Sequence, residues 1–321
     1  MRDMLSPSLS RRRFLSIAAV ASAALMPGAA GSRANRFEWR GGAPGAQAAI
    51  VLYHHDQAEA EAAIAASLAE IRRLEGEFSL YQAGSALLRL NAAGRISWPS
   101  HDMRRLLQLS KSYSDLSEGA FDPTIQPLWQ LYAEHFSTHA SAPSPEAIKA
   151  ALQLVDYRRI SIKASEIRLQ PGMSLTLNGI AQGYITDRVA ALLRARGWDD
   201  VLLNLGEIRA LPGRSWSIGL PGSHNRLELN NAAIATSSGP SSPFGAAGEV
   251  HHLLHPATGR SGGRYNTVSV LAGTAVAADA LSTALFLAPP EQAMDLLRQG
   301  GGQQAWLRPF GRKTLHLTAV N

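Results

Sequence analysis

The sequence of 321 residues contains no cysteine. Disulfide bonds, thiolate metal sites and a cysteine nucleophile are therefore excluded. Basic runs with interleaved aromatic residues are also missing after the first 31 residues. The formal net charge is +6 from 31 basic and 25 acidic residues. Four arginines and one aspartate lie in the first 31 residues, which leaves 27 against 24, or +3. So mild a balance argues against a nucleic-acid partner.

The segment 1–31 has the pattern of an export signal. Ser10 to Leu15 resembles the twin-arginine motif, the apolar stretch Ile17 to Leu25 follows, and small residues come near Ala29-Ala30. The apolar stretch is too short to cross a bilayer. A basic amphipathic start of a cytoplasmic domain is the weaker alternative. We expect a folded protein exported to the periplasm, with no membrane span in the mature chain and its single functional domain at residues 32–321.

The stretch from Ser174 to Arg209 predicts a strand, a tight turn, a helix and a second strand. Leu175 to Leu177 favours a strand, and Asn178-Gly179 is typical of a turn and a helix N-cap. Gly179 and Gly183 would lie in the first turn of the helix, where backbone N–H groups favour a phosphate. Packing glycines in an ordinary strand–helix unit would explain the same residues. The stretch has no G-x-G-x-x-G fingerprint and no P-loop motif, so neither supports a nucleotide here.

Periodic apolar residues indicate several helices and strands around this stretch. Helices are predicted at 57–75, 101–116, 145–153, 277–287 and 291–299. Strands are predicted at 37–40, 47–53, 159–162, 167–169, 201–205, 216–220, 226–229, 233–239, 267–271, 304–308 and 314–318.

Short motifs also follow one another in a specific order. They are FSLY (78–81), SALLRLN (85–91), GAFDPT (119–124), GIAQGYITDR (179–188), NLGEIR (204–209), AIATSSG (233–239), HHLLHPATG (251–259) and AADALSTALF (277–286). Each motif alone is weak, but the series resembles the ApbE family of FAD:protein FMN transferases over nearly all of the chain after residue 36. The resemblance implies an α+β fold, related to the T-fold. Its mixed or antiparallel sheet would carry flanking helices and form two lobes with FAD between them.

Two residues of the last motif suit a metal ion. Asp279 and Thr283 are four apart on a predicted helix and share a face. Their carboxylate and hydroxyl are hard oxygen ligands that suit Mg²⁺, with water and a pyrophosphate completing the shell. The resemblance implies that both bind Mg²⁺, together with a backbone oxygen near Ala181. An Asp near the helix start and a Thr bonded to its own helix are the structural alternative.

His252 is the candidate for proton transfer, because histidine can accept a proton from a hydroxyl near neutral pH. The resemblance implies catalytic roles for His252 and Asp279. A transition-metal site formed by His251, His252 and His255 is a weaker alternative, since Pro256 argues against a helix that would bring these rings together.

The resemblance also implies which residues contact FAD. Tyr81 suits the flavin ring, because its face can stack while its hydroxyl stays in water. The expected FAD-binding residues are Ser79, Tyr81, Ser85, Asn91, Ala120, Phe121, Asp122, Gly183, Asp187, Thr236, Ser237, His252 and Thr258.

Four positions depart from the family pattern. Gln182 stands where relatives commonly have Lys, and Thr176 where they often have Asp. Both charges are lost together, so we interpret the two changes as compensating. His255 replaces an Asp, and Glu207 stands where a second Gly is frequent, with no role that the sequence indicates.

The resemblance implies Mg²⁺-dependent transfer of FMN from FAD to a threonine or serine of an acceptor flavoprotein, with release of AMP. Hydrolysis of FAD to FMN and AMP, and FAD binding or delivery without turnover, are the alternatives. The TLNGIAQGYITDR and NLGEIR motifs resemble those of the NosX-like branch of the family, which serves a membrane flavoprotein of nitrous-oxide respiration.

Overall fold

The computed structural model describes residues 34–43, 46–222, 226–244 and 250–319, and one eight-stranded sheet lies at the centre of this part of the chain. The strands are β1 Asn35–Ala43, β2 Ala46–His54, β3 Arg95–Ser97, β4 Ser161–Ile162, β5 Glu166–Arg168, β6 Val201–Asn204, β7 Ile208–Ala210, β8 Trp216–Gly219, β9 Arg226–Leu229, β10 Ala233–Ser238, β11 Pro243–Phe244, β12 Val250–His251, β13 Tyr265–Ala272, β14 Gly302–Pro309 and β15 Leu315–Thr318. The central sheet has the order β1-β2-β6-β7-β10-β13-β14-β15, and all of its neighbouring pairs are antiparallel.

Eight α-helices accompany these strands in the described residues. They are α1 Gln57–Phe78, α2 Ala86–Ala93, α3 His101–Leu116, α4 Gln126–Phe136, α5 Pro145–Leu152, α6 Ala181–Arg194, α7 Ala275–Leu287 and α8 Ala293–Gln299. No helix in these ranges is long and apolar enough to cross a membrane. The export signal predicted for residues 1–31 lies outside the described residues.

The two faces of the sheet bury alternate residues of the same strands. On β2, Ile50 and Leu52 belong to the main core beneath the helices, whereas Val51 belongs to a second core. The second core is completed by Trp216 and Leu229 of the β8–β9 hairpin. Because side chains alternate across a strand, burial on both faces requires apolar residues at consecutive positions.

Helix α7 is buried on nearly all sides between α6 and strands β10 and β13. Its sequence explains this position, because alanines such as Ala278 and Ala284 let neighbouring backbones approach closely. Thr274 caps the helix by accepting from the Ala277 N–H. A carboxylate at Asp279 in so apolar a helix is the exception, and it marks the place where the fold builds a polar site.

The predicted α+β fold is confirmed, but the start of the central unit differs from the prediction. Leu175–Leu177 is not a strand, because Leu175 bonds to the Asn91 side chain of α2 and the Thr176 N–H donates to the Pro123 carbonyl rather than to a neighbouring strand. Asn178 does not cap α6; Ile180 occupies the cap position without a side-chain bond. The turn at Asn178-Gly179 and the helix itself are as predicted.

Candidate functional site

One cleft of about 1150 Å³ gathers most of the chemically active residues predicted from the sequence. This volume includes open solvent at the mouth of the cleft. The predicted residues that line it are Tyr81, Ala120, Phe121, Asp122, Thr236, Ser237, His252, Asp279 and Thr283. They come from five separate motifs, so the fold brings distant parts of the chain to one place.

Asp279 lies at the bottom of this cleft, where it is only 5% exposed. Its Oδ2 accepts a hydrogen bond of 2.9 Å from the Gly183 backbone N–H. Burial raises the pKa of Asp279 to about 7, opposed by this bond and reinforced by the charge of Asp187. Near neutral pH the carboxylate is therefore easily protonated, and a cation beside it would favour the ionised form.

The bond to Asp279 depends on the close approach of α6 and α7. A Cβ built at Gly183 would lie 2.4 Å from the carbonyl oxygen of Ala275 and 2.7 Å from the Cα of Val276. Gly183 was expected to face FAD, but it does not line the cleft, and its N–H is used by the carboxylate. Glycine here serves helix packing and the placement of Asp279.

Asp187 holds the first turn of α7 in position. Its carboxylate accepts from the N–H groups of Ala275 and Val276, both at 2.9 Å, and from Arg209 Nη1 at 2.6 Å. Burial raises its pKa, and the Arg209 guanidinium lowers it. Asp187 was predicted to bind FAD, but it does not line the cleft. Both of its carboxylate oxygens accept hydrogen bonds from these partners. It fixes the helix that carries Asp279.

Three hydroxyls form a cluster beside Asp279. Ser237 Oγ lies 2.8 Å from Ser282 Oγ and 3.2 Å from Thr283 Oγ1. Gly179 leaves space next to this cluster, since a Cβ there would come within 3.2 Å of Thr283 Oγ1. A carboxylate and a hydroxyl with free space beside them are a donor set that suits a hard cation such as Mg²⁺.

Glu207 adds a third carboxyl group to the cleft that Asp122 and Asp279 also line, and the sequence did not predict it. It is 4% exposed, and the Thr236 backbone N–H donates to it. Burial and the charge of Asp279 raise its pKa well above the ordinary value. The only sequence signal was its position in the motif NLGEIR. Glu207 directly precedes strand β7, and β7 pairs with β10.

The residues that line the cleft include no Lys and no Arg among the described ranges. Asp122, Glu207 and Asp279 are all carboxylic acids. A diphosphate entering this cleft would meet three acidic side chains and no cationic side chain to balance its own charge. The donor set and this charge balance both fit a divalent cation.

His252 lines the cleft opposite these carboxylates and is held by Ser242. Its backbone N–H donates to the Ser242 carbonyl at 3.2 Å, and its Nδ1 lies 3.3 Å from the same oxygen. A carbonyl only accepts, so this contact places the ring proton on Nδ1 and leaves Nε2 as an acceptor. Burial and the neighbouring His251 lower the pKa of His252 to about 4. The ring is therefore neutral near pH 7 and able to accept a proton.

The other two histidines of this motif make structural contacts. His251 Nε2 lies 2.6 Å from the Gly262 carbonyl, and its Nδ1 accepts from the Leu253 N–H. His255 Nδ1 accepts from the Ala257 N–H. Within the described ranges, no three His, Cys, Asp or Glu side chains are grouped to hold a metal ion. The alternative of a transition-metal site at these histidines receives no structural support.

Aromatic and apolar groups also line the cleft. Phe121 and Trp129 both belong to its wall. Tyr81 is 53% exposed and lines both this cleft and an adjoining smaller one of about 450 Å³. Its hydroxyl bonds to Asn178. A flat group would thus find a phenol ring at the mouth of the cleft and apolar rings inside it.

The remaining predicted residues lie outside the main cleft. Ser79 and Ala181 line the smaller one. Ser85 is buried and caps α2 while donating to the Ser79 carbonyl. Asn91 bonds to both the N–H and the carbonyl of Leu175, which fixes the backbone that precedes the cleft. Thr258 is exposed and accepts from the Arg260 N–H.

Comparison with known proteins shows the family to which the chain is related. The model of the ApbE family matches residues 45–307. The chain belongs to the ApbE family. The resemblance inferred from the sequence motifs is thereby confirmed.

Relatives in this family share one name. An FAD:protein FMN transferase of Klebsiella pneumoniae (strain 342) is 31% identical over 264 residues, covering 78% of this chain and 82% of that protein. The FAD:protein FMN transferase of Treponema pallidum (strain Nichols) is 28% identical over 281 residues, covering 77% of each chain. The crystal structure of the Pseudomonas stutzeri flavinyl transferase ApbE in its apo form has a TM-score of 0.78 at 26% identity. It covers 89% of this chain and 97% of that one.

Proposed function

We propose that this ApbE-family enzyme transfers FMN from FAD to a threonine or serine hydroxyl of an acceptor protein and releases AMP. The observation that carries the proposal is one cleft whose walls include both apolar rings and a carboxylate–hydroxyl pair. The rings suit an isoalloxazine ring, and the carboxylate–hydroxyl pair suits a cation that neutralises a diphosphate. The shared name of the relatives supports the same reaction.

In this reaction the acceptor oxygen forms a bond to the phosphorus of the FMN half, and the bond from that phosphorus to the AMP phosphate breaks. The hydroxyl proton must leave as the new bond forms. Catalysis of such a transfer depends mainly on positioning and charge neutralisation.

We infer that His252 accepts the hydrogen bond of that hydroxyl and receives its proton as the new bond to phosphorus forms. The ring is neutral near pH 7 because burial lowers its pKa to about 4, and the contact with the Ser242 carbonyl leaves Nε2 as the acceptor. So low a pKa makes the ring a weak base, so its main contribution is to orient the hydroxyl by accepting its hydrogen bond.

Asp279 and Thr283 would hold Mg²⁺, which supplies neutralising charge to the diphosphate and to the departing AMP. Asp279 keeps its orientation through the Gly183 N–H, and Asp187 keeps α7 in register. Tyr81 and Phe121 would bind the flavin ring, and Asp122 shapes that wall by accepting from Thr124 and Tyr157.

The decisive experiment incubates the purified chain with FAD, Mg²⁺ and a domain that carries a candidate threonine motif. Intact-protein mass spectrometry then detects covalent FMN on the acceptor. We expect an adduct with the wild type and none with Asp279→Ala. Asp295→Ala is the matched control, because this aspartate is exposed on α8 and should leave the adduct unchanged.

The alternatives predict different products. Release of FMN and AMP without an adduct would assign FAD hydrolysis instead. FAD that binds without turnover, over several acceptors, would assign binding or delivery. Either result would overturn the transferase proposal.

We also propose that the protein works in the periplasm and that its acceptor is a membrane flavoprotein of nitrous-oxide respiration. The twin-arginine pattern supports the periplasmic location, and the NLGEIR motif supports the acceptor. Fractionation of cells and flavin staining of the acceptor in a deletion strain test them. A cytoplasmic protein, or an acceptor still flavinylated in the deletion strain, would contradict them.

A further inference from the structure

Glu207 is a buried acid that the proposed transfer does not use. It lies in the loop between β6 and β7, is 4% exposed and lines the same cleft as Asp279 and Thr283. One backbone N–H, from Thr236, donates to its side chain. A carboxylate in such a position is costly for the fold unless a positive partner balances it.

Nearby arginine does not provide that partner. Arg209, two residues further along the chain, is bound to Asp187 at 2.6 Å and to the Gly273 carbonyl at 3.0 Å. The cleft wall itself offers Glu207 no Lys or Arg in the described ranges. Glu207 and Asp279 therefore place two carboxylates around one cavity, with backbone N–H groups as their donors.

We propose that Glu207 is a third protein ligand of the divalent cation, together with Asp279 and Thr283, and that the cation binds before FAD. The position of the cation rests on the proposed function, but the role of Glu207 goes beyond it. One carboxylate and one hydroxyl need the diphosphate to complete a site. Two carboxylates and a hydroxyl attract the cation on their own, because affinity for hard cations rises with the number of charged oxygen ligands.

The test measures Mn²⁺ binding to the protein without FAD, by calorimetry and by the electron paramagnetic resonance signal of free Mn²⁺. Mn²⁺ prefers the same oxygen ligands as Mg²⁺. We expect one saturable site in the wild type and at least about tenfold weaker binding in Glu207→Gln, whose side chain can still accept from Thr236. Glu75→Gln is the matched control, since Glu75 lines the adjoining cleft, and it should bind Mn²⁺ like the wild type.

Thermal unfolding provides a readout that a merely structural role would not produce. With saturating Mn²⁺, the wild type should gain more in melting temperature than the variant. Equal Mn²⁺ affinities, or no saturable site in the FAD-free wild type, would overturn the inference.

These measurements do not use FMN transfer, so the two proposals fail separately. Mn²⁺ binding that depends on Glu207 would support the inference even if no acceptor became flavinylated. If the acceptor became flavinylated but Glu207→Gln bound Mn²⁺ as tightly as the wild type, the transferase proposal would be supported and the role of Glu207 as a ligand would be refuted.

Discussion

Replacement of Gly183 by alanine should destabilise the protein, although alanine is the better helix former. The added Cβ would lie 2.4 Å from the Ala275 carbonyl oxygen and 2.7 Å from the Val276 Cα, and both are backbone atoms that cannot rotate away. Helices α6 and α7 must therefore separate by about an ångström or more to restore ordinary contact distances. The same movement lengthens the bond from the Gly183 N–H to Asp279.

The size of the effect follows from three contributions. Overpacking of a close contact costs about 1–3 kcal/mol. Weakening a hydrogen bond to a buried carboxylate costs about 1.5–3 kcal/mol. The helix propensity of alanine returns about 1 kcal/mol. We therefore expect Gly183→Ala to lower the free energy of unfolding by about 1.5–5 kcal/mol, a large part of the stability of an ordinary domain.

Gly76→Ala is the matched control, because Gly76 lies in α1 with nothing within 4 Å of the added Cβ. There the propensity gain is unopposed, and the free energy of unfolding should rise by about 0.5–1 kcal/mol. Urea unfolding followed by far-ultraviolet circular dichroism measures both variants. If Gly183→Ala proved as stable as Gly76→Ala, the close approach of α6 and α7 would not limit this position.

Two further predictions concern charge. Asp187→Ala should lower the free energy of unfolding by about 3 kcal/mol in urea titrations, because Arg209 loses its partner and two N–H groups of α7 lose their acceptor; Asp187→Asn, which still accepts, should lose less. Burial lowers the pKa of His252 to about 4, so the folded state resists its protonation. The unfolded state binds the proton with an ordinary histidine pKa near 6.5. The free energy of unfolding is therefore highest above pH 6.5 and falls by about 2–3 kcal/mol as the pH drops toward 4. His252→Gln should remove that part of the acid loss, and parallel curves for both proteins from pH 7.5 to 4.5 would contradict the low pKa.

Local sequence patterns predicted six of the eight helices in the described residues and missed α2 and α4. The predicted helix 101–116 has the bounds of α3, since apolar spacing and a serine cap act within a few residues. Leu175–Leu177 carries β-favouring side chains, yet it is not a strand. Its backbone partner is Asn91, 84 residues earlier in the chain. No local pattern encodes that contact.

The same distinction separates the site residues. Asp279 and Thr283 were predicted as a pair because four residues on one helix share a face, and both line the cleft. Asp187 and Gly183 belong to a strong motif, but their partners on α7 lie about 90 residues away in sequence, so their structural roles were not evident. Glu207 approaches Asp279 only because β7 pairs with β10, which the sequence alone does not show.

The charge of the cleft connects two positions that looked unrelated in the sequence. Gln182 brings no charge where relatives commonly have Lys, and Glu207 adds a carboxylate where a second Gly is frequent. Both residues line the same cleft, and the Gln182 amide lies against Gly206, directly before Glu207. Thr176 lines the same cleft and lacks the Asp of many relatives, which offsets the missing Lys in charge, so Glu207 leaves the cleft with one more acidic group than the family pattern. A lysine at position 182 would neutralise part of the diphosphate charge, and without it the cation must do so alone. Binding of the diphosphate, as well as its cleavage, should therefore require the metal.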